Sequence, residues 1–296
     1  MKAALLPDRG VVKVAGDGAR EFLNGLLTAD INAVSPAQAR FAALLTPQGK
    51  IVVDAIVVEA PAEEGGGFFL DCPRALTTSF VAKLNFYKLR AKVIAEDLSE
   101  ALAVLAVWDG ELQKTYARAY RDPRLPALGL RIMLAPSRAG EAAAALGAKL
   151  IDAAHYEAHR IALGVPRGGL DFIYGDAFPH EADMDQLAGV DFEKGCYVGQ
   201  EVVSRIEHRG TARTRIVPVA YEGFAPETGI AVTAGEKSVG TFGSAADGHG
   251  LAMLRLDRTD EALAAGLPLL AGGIALTPQK PTWARFAFPG EAKAAE

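Results

Sequence analysis

Cysteine is scarce: Cys72 and Cys196 are the only two in 296 residues. That excludes a disulfide framework and fits a reducing compartment. It also excludes a protein that holds an ordinary cubane cluster by itself, since such a cluster takes four thiolate ligands. Basic charge is not in excess either. Lys and Arg number 31 against 36 Asp and Glu, a net charge of -5, whereas a nucleic-acid binder is normally basic over its binding domain. No apolar run approaches the roughly twenty residues of a membrane span. Met1-Lys2-Ala3-Ala4-Leu5-Leu6-Pro7-Asp8 is too short and too quickly polar for a signal peptide. These absences leave the cytoplasm as the expected location and neither nucleic acid nor membrane as a partner. Half of the residues are hydrophobic and 23% are charged, so the chain is globular in composition and long enough for two or three domains.

What is present begins with a strand at Val11–Val14 and a turn at Gly16-Asp17-Gly18, with Asp17 as the expected N-cap. Ala19, Phe22, Leu23, Leu26 and Leu27 then recur at helical spacing. Thr46-Pro47-Gln48-Gly49 reads as a turn before a strand at 50–59, and Phe68-Phe69-Leu70 as the returning strand. A helix is predicted over about 74–90, a strand over 92–95, and further strands over 102–107 and 131–134. Ser137 and Asp152 are positioned to cap two later helices, the first ending at Gly147. This mixture of paired strands and helices is an α+β arrangement with ferredoxin-like portions. Beyond Gly210 strand-like pieces such as Ile216–Ala220, Ile230–Thr233 and Leu267–Leu270 alternate with glycine turns, the pattern of a small β-barrel starting near Thr211. The tail after Pro289 reads as frayed.

Four features carry chemistry. Lys194-Gly195-Cys196-Tyr197-Val198-Gly199-Gln200-Glu201 sets a thiol among charges and glycines, although a thiol more often packs as a small hydrophobe. A Lys194 ammonium close to Cys196 would favour the thiolate; the alternative is a cysteine buried at a turn. Asp54 lies in Ile51-Val52-Val53-Asp54-Ala55-Ile56-Val57-Val58, a strand apolar on both faces, and is expected to be buried. It then needs a cation such as Arg90 or Lys92, hydrogen bonds, or a proton, or else it faces a cavity as a working acid. Glu181, in Phe178-Pro179-His180-Glu181-Ala182-Asp183-Met184-Asp185, can accept two adjacent N–H bonds from an aminopyrimidine edge; the alternative is a solvated acidic loop. His155 and His159 share a helix face but lack an evident third metal ligand. The run Arg205, Arg209, Arg213, Arg215 reads as a solvated strand edge or an anion contact.

The run at 194–201, followed by Arg205 and Arg209-Gly210, resembles the hallmark of the YgfZ proteins, folate-binding relatives of the glycine-cleavage T protein, an aminomethyltransferase. Thr46-Pro47-Gln48-Gly49-Lys50, the series Arg160, Gly164, Pro166, Asp171, Pro179 and Glu181, and Gly240-Thr241-Phe242-Gly243-Ser244 extend the resemblance along the chain. It implies three domains in a ring around a folate channel: 1–46 with 136–210, 47–135, and a C-terminal barrel at 211–296. It implies tetrahydrofolate or a folate derivative as cofactor, with Glu181, Asp54, Tyr197 and Arg205 as binding residues. Cys196 and Asp54 would be the reactive groups, and Lys194, Gly195, Tyr197, Gly199, Gln200 and Glu201 the rest of the family motif. It implies a monomer that assists assembly or repair of iron–sulfur clusters in client proteins. Aminomethyltransferases carry adjacent aspartates where this chain has Val53-Asp54, a departure that speaks against aminomethyl transfer. Transfer of a one-carbon unit and folate binding without catalysis remain the two alternatives, so whether the chain is an enzyme stays open.

Overall fold

A computed structural model describes residues 1–110 and 116–290. The chain opens with β1 (Lys2–Leu6), β2 (Arg9–Ala15) and helix α1 (Ala19–Leu26). Strands β3 (Arg40–Leu45), β4 (Ile51–Glu59) and β5 (Phe68–Pro73) follow, then α2 (Thr77–Tyr87) and β6 (Ile94–Asp97). Next come β7 (Ala103–Trp108), β8 (Ala119–Arg121), β9 (Leu130–Leu134), α3 (Ala139–Ala145), β10 (Lys149–Leu150) and α4 (Ala153–Ala162). A long irregular segment leads to α5 (Gln200–Arg209). The last part holds β11 (Thr214–Ala220), β12 (Ala231–Ala234), β13 (Lys237–Ala246), β14 (His249–Arg255), α6 (Leu256–Ala264), β15 (Leu269–Ala271) and β16 (Ile274–Pro278). Among the described residues no helix is long and apolar enough to cross a membrane. The tail expected to fray lies, from residue 291 on, outside the described residues.

The chain divides into two compact units, Met1–Tyr156 with Leu187–Gln200, and Glu157–Gln186 with Glu201–Glu296. In the first, one sheet runs β3-β4-β5-β2-β6 and the other β10-β1-β7-β9-β8. Strand alternation sorts their faces. Val12, Val14, Val53, Ala55, Val57, Leu70 and Cys72 pack with Leu23, Leu26, Phe80 and Leu84 of α1 and α2. Leu105, Val107, Ile132 and Leu134 pack under Ala139, Ala142 and Ala143 of α3. The opposite faces carry Arg9 and Asp71 on the first sheet, Tyr120 and Arg131 on the second, and they meet in a buried ionic network. Asp71 accepts from Arg9 and Arg131, each at 2.6 Å, and from the Tyr120 hydroxyl at 2.9 Å. Asp122 closes the network against Arg131 and Arg124 at 2.8 and 2.7 Å. Although burial opposes ionisation, the two guanidinium groups hold the Asp71 carboxyl below its usual range.

In the second unit β11-β14-β13-β12-β15-β16 close into a barrel filled by Val217, Val219, Phe242, Leu254 and Leu276. The segment before it is tied on through Asp171. Its carboxylate accepts from the Ser244 N–H at 2.7 Å, the Ser244 hydroxyl at 2.6 Å and the Arg160 guanidinium at 2.9 Å. Gly243 allows this approach, because a Cβ there would lie 2.5 Å from Asp171 Oδ1.

Several local expectations need correction. Helix α1 is preceded by Gly18 and receives no side-chain cap, so Asp17 is not its N-cap. Ser137 sits in a 3-10 turn and does not cap α3, whereas Asp152 does cap α4, accepting from the Ala154 N–H at 2.7 Å. Arg205 and Arg209 lie on helix α5, not on a strand edge, and Arg215 is a buried strand residue.

Candidate functional site

The motif loop is built from the end of α1 outwards. A helix C-terminus leaves carbonyls without intrahelical partners, and a cation there satisfies both hydrogen bonding and the helix dipole. Lys194 fills this role: its Nζ donates to the carbonyls of Asn24 and Leu27 at 2.7 Å and of Ala29 at 2.8 Å. An ammonium has three donors, so none is left for the Cys196 sulfur. The expectation that Lys194 serves the thiol is therefore replaced by an anchoring role. Burial draws the Lys194 pKa down to about 8, against the opposing pull of Asp30 and Asp191.

Further stitches fix the same loop. Thr28, fully buried, donates its hydroxyl to the Gly189 carbonyl at 2.6 Å and accepts from the Ala43 N–H at 2.8 Å. Asp191 donates its N–H to the Thr28 carbonyl, and its carboxylate accepts from the N–H groups of Glu193 and Lys194. Gly199 has φ +83°, and a Cβ there would meet the Thr46 carbonyl oxygen at 2.5 Å. The turn at 46–50 and the cysteine motif, two stretches far apart in sequence, thus lie against each other. Tyr197 is buried with its hydroxyl unpartnered among the described residues, and burial together with Asp191 pushes its pKa up to about 12. Lys194 Nζ stands 5.2 Å from the centre of the Tyr197 ring. On this fixed loop Cys196 is exposed, while Cys72 is buried in the core below the first sheet. Burial pushes the Cys72 thiol far above its ordinary range, which leaves it protonated and inert. Of the two sulfurs, only that of Cys196 is available for chemistry.

Asp54 is buried on β4 opposite Ala43, as expected of that strand. Its charge acts on Arg9: burial alone would lower the Arg9 pKa, but Asp71 and then Asp54 hold the guanidinium firmly protonated. The expected partners Arg90 and Lys92 are both exposed. Asp54 therefore belongs electrostatically to the edge of the inter-sheet network.

In the second unit Glu181 is half-buried and lines a cavity of about 390 Å³ with Phe178, Val202, Ile206, Arg213 and Arg255. One of its oxygens, Oε2, accepts from the Phe178 N–H at 2.8 Å, which fixes the carboxylate. The acidic loop around it is not solvated. Asp185 takes a bidentate contact from Arg215 at 2.6 and 2.9 Å, and Asp183 lies 3.3 Å from the same guanidinium. Burial, only partly offset by Arg215, holds the Asp183 carboxyl well above its usual range. His180, Asp185 and Glu207 bring ligand atoms within 4.8 Å of one another. The grip of Arg215 on Asp185 makes this an ion-pair knot first. His155 is exposed on α4 and, among the described residues, forms no such group with His159. Arg205 is exposed and pairs with Glu201 one helical turn away at 2.6 Å, along the solvent side of α5. Lys194, Gly195, Cys196, Tyr197, Gly199 and Gln200 thus fall in the first unit with Asp54, and Glu181, Glu201 and Arg205 in the second.

Sequence reasoning missed Thr28, Asp191 and the Asp185–Arg215 pair. Asp191 carried a readable signal, standing two residues before Glu193, whose N–H its carboxylate accepts as in an Asx turn. Thr28 and Arg215 act at long range and carried none.

The fold resembles that of an aminomethyltransferase. It matches the crystal structure of glycine cleavage system aminomethyltransferase T from Bartonella henselae with a TM-score of 0.73 and 17% identity, over 96% of this chain and 86% of that one. At that identity the likeness defines the fold alone. Residues 213–286 match the C-terminal β-barrel domain of CAF17. The human mitochondrial iron–sulfur cluster assembly factor IBA57 is 33% identical over 84% of this chain and 76% of its own length. The mouse protein is 34% identical over the same shares, and the Mycosarcoma maydis homologue 37% identical over 74% of this chain. The chain belongs to the IBA57 family of iron–sulfur cluster assembly factors. It spans little more than half the length of two of the fungal relatives, 57% of the Mycosarcoma maydis protein and 54% of the Neurospora crassa one. The cytoplasmic expectation is corrected by the same relatives, which are mitochondrial proteins by name. Scarce cysteine and the lack of a long apolar run do not single out the cytosol among reducing compartments.

Proposed function

We propose that this protein takes part in iron–sulfur cluster assembly or repair in client proteins, in the manner of a YgfZ-type factor, with Cys196 as its working group. The observation that carries the reading is the pairing of an exposed Cys196 with a loop fixed from both sides, by Lys194 and by Gly199. A reactive thiol gains from being accessible and from being held in one position. A cubane cluster takes four thiolates, and Cys72 is buried and protonated. One thiolate is therefore the most this chain offers, and a partner has to supply the others. The test is the activity of a 4Fe–4S enzyme in cells lacking the protein, re-supplied with wild type or Cys196→Ala. Wild type should restore activity and the variant should not; equal restoration by both removes the thiol from the mechanism.

Tetrahydrofolate is the proposed cofactor. The cavity beside Glu181 has apolar walls from Phe178, Val202 and Ile206, and a carboxylate already oriented by the Phe178 N–H. Those residues fit the flat face and the aminopyrimidine edge of a pterin. Bound there, folate would supply one-carbon chemistry, while Glu181 binds and orients the ring. Titration calorimetry with tetrahydrofolate should give at least tenfold weaker binding for Glu181→Gln, the loss of a charge-assisted pair. Unchanged affinity would move the folate site elsewhere. The three-domain division at 1–46 with 136–210, 47–135 and 211–296 belongs to the same proposal. Aminomethyl transfer is disfavoured by Val53, which removes one carboxylate from the strand that carries Asp54.

A further inference from the structure

Between Ala75 and Ala95 the chain carries Lys83, Lys88, Arg90 and Lys92 and no acidic residue, although its net charge is -5. None of these four cations forms an ion pair among the described residues. The same stretch exposes three large apolar side chains, Phe86 at 76%, Leu89 at 88% and Ile94 at 63%. Single exposed hydrophobics are ordinary, but three within nine residues, set among unpaired cations, mark an interaction surface. Leu89 also has a left-handed backbone, φ 44°, a strained conformation for a residue with a side chain.

The stretch runs from the end of α2 into β6, the last strand of its sheet. β6 pairs with β2 in antiparallel register, Val12 opposite Asp97 and Val14 opposite Ala95. The Leu98 N–H donates to the Val11 carbonyl, which sets the phase of the ladder. In an antiparallel pair hydrogen-bonded and non-hydrogen-bonded positions alternate. Residues 94, 96 and 98 therefore direct their backbone groups to β2, and Ala95 and Asp97 direct theirs to the open side. An open edge of this kind is a template for an added strand.

We propose that residues 83–97 form a docking surface for an acidic polypeptide, which lays an extended segment along β6 and covers Phe86, Leu89 and Ile94. Four unpaired cations complement an acid-rich surface and would speed its approach in a salt-dependent way. The open edge decides for a polypeptide over an anionic bilayer. A peptide can pair the outward backbone groups of Ala95 and Asp97, whereas hydrocarbon leaves such groups unsatisfied. Glu96 and Asp97, both exposed on the same strand, set two carboxylates against the four cations, so the stretch keeps a positive balance that favours an acidic peptide over a basic one. The proposal stands independently of the folate and cluster readings.

The test uses the full chain and three probes: a fluorescent extended peptide alternating Glu with Val, its Lys-for-Glu counterpart, and vesicles of anionic phospholipid. The acidic peptide should bind in the micromolar range, more weakly as salt rises, and the basic one should not. Leu89→Ser and the double change Lys88→Glu with Arg90→Glu should each weaken binding about tenfold. These positions are at the surface, and circular dichroism melts check that both variants fold. Backbone amide exchange at Ala95 and Asp97 should slow on binding. Equal affinity for wild type and variants, no protection at those two amides, or binding to vesicles but not to the peptide would each overturn the proposal.

Discussion

Replacing Lys194 by methionine keeps the aliphatic stem but removes three donors from the carbonyls that end α1. Urea unfolding should show a loss of about 2–4 kcal/mol, since hydrogen bonds from a charged donor contribute more than neutral ones and the carbonyls lose their partner. The same lysine gives a pH signature. Its pKa falls from 10.5 to about 8 on folding, so between those values the unfolded chain binds more protons than the folded one. Stability contributed by this group therefore rises with pH across that window. The urea midpoint of wild type should gain between pH 8 and 10 relative to Lys194→Met, and parallel curves would refute the assignment. Sequence showed which residues the motif holds but not where they point. Lys194 stands two residues from Cys196, yet its partners lie at 24, 27 and 29. Adjacency along a chain says nothing about the direction of a long flexible side chain.

Among the elements, the two sheets of the first unit depend on Asp71. Asp71→Asn leaves Arg9 and Arg131 buried and facing each other without the carboxylate between them. Breaking one partner of such a network costs about 3–5 kcal/mol, readable as a lower urea midpoint; a change under about 1 kcal/mol would mean the network relaxes by admitting water. Strands with strong periodicity were legible: β4, β7 and β9 lie within a residue of expectation, and β5 begins where expected but runs three residues further. Helix α5 was not, because Gln200 to Arg209 is mostly polar and only Val203 is buried. Its arginines, taken without the intervening residues, looked like a strand edge. β1 is hard to read from sequence because Lys2–Leu6 has too few residues to show alternation, although it pairs with β7 across about a hundred residues. Helix α6 was hidden between two barrel strands, where alternation with glycine turns dominated the pattern.

At the scale of the whole molecule, the barrel was announced by its glycines and short apolar strands, and the CAF17 domain match covers the same residues. The meeting of the 46–50 turn with the 194–201 loop was not announced by either stretch alone. It comes from a close approach at Gly199 that only three-dimensional packing reveals. The candidate site can thus be named residue by residue from sequence, while its geometry cannot. That matters most for the anchoring of the loop, whose contacts span 165 to 170 residues of chain. A ribosome adding about 5–20 residues per second needs on the order of ten to thirty seconds between making α1 and making Lys194. The receptor for the loop is therefore synthesised first and waits for its ligand. The Cys196 sulfur, made two residues after the lysine, reaches its fixed setting only once both the first helix and its anchor have left the ribosome.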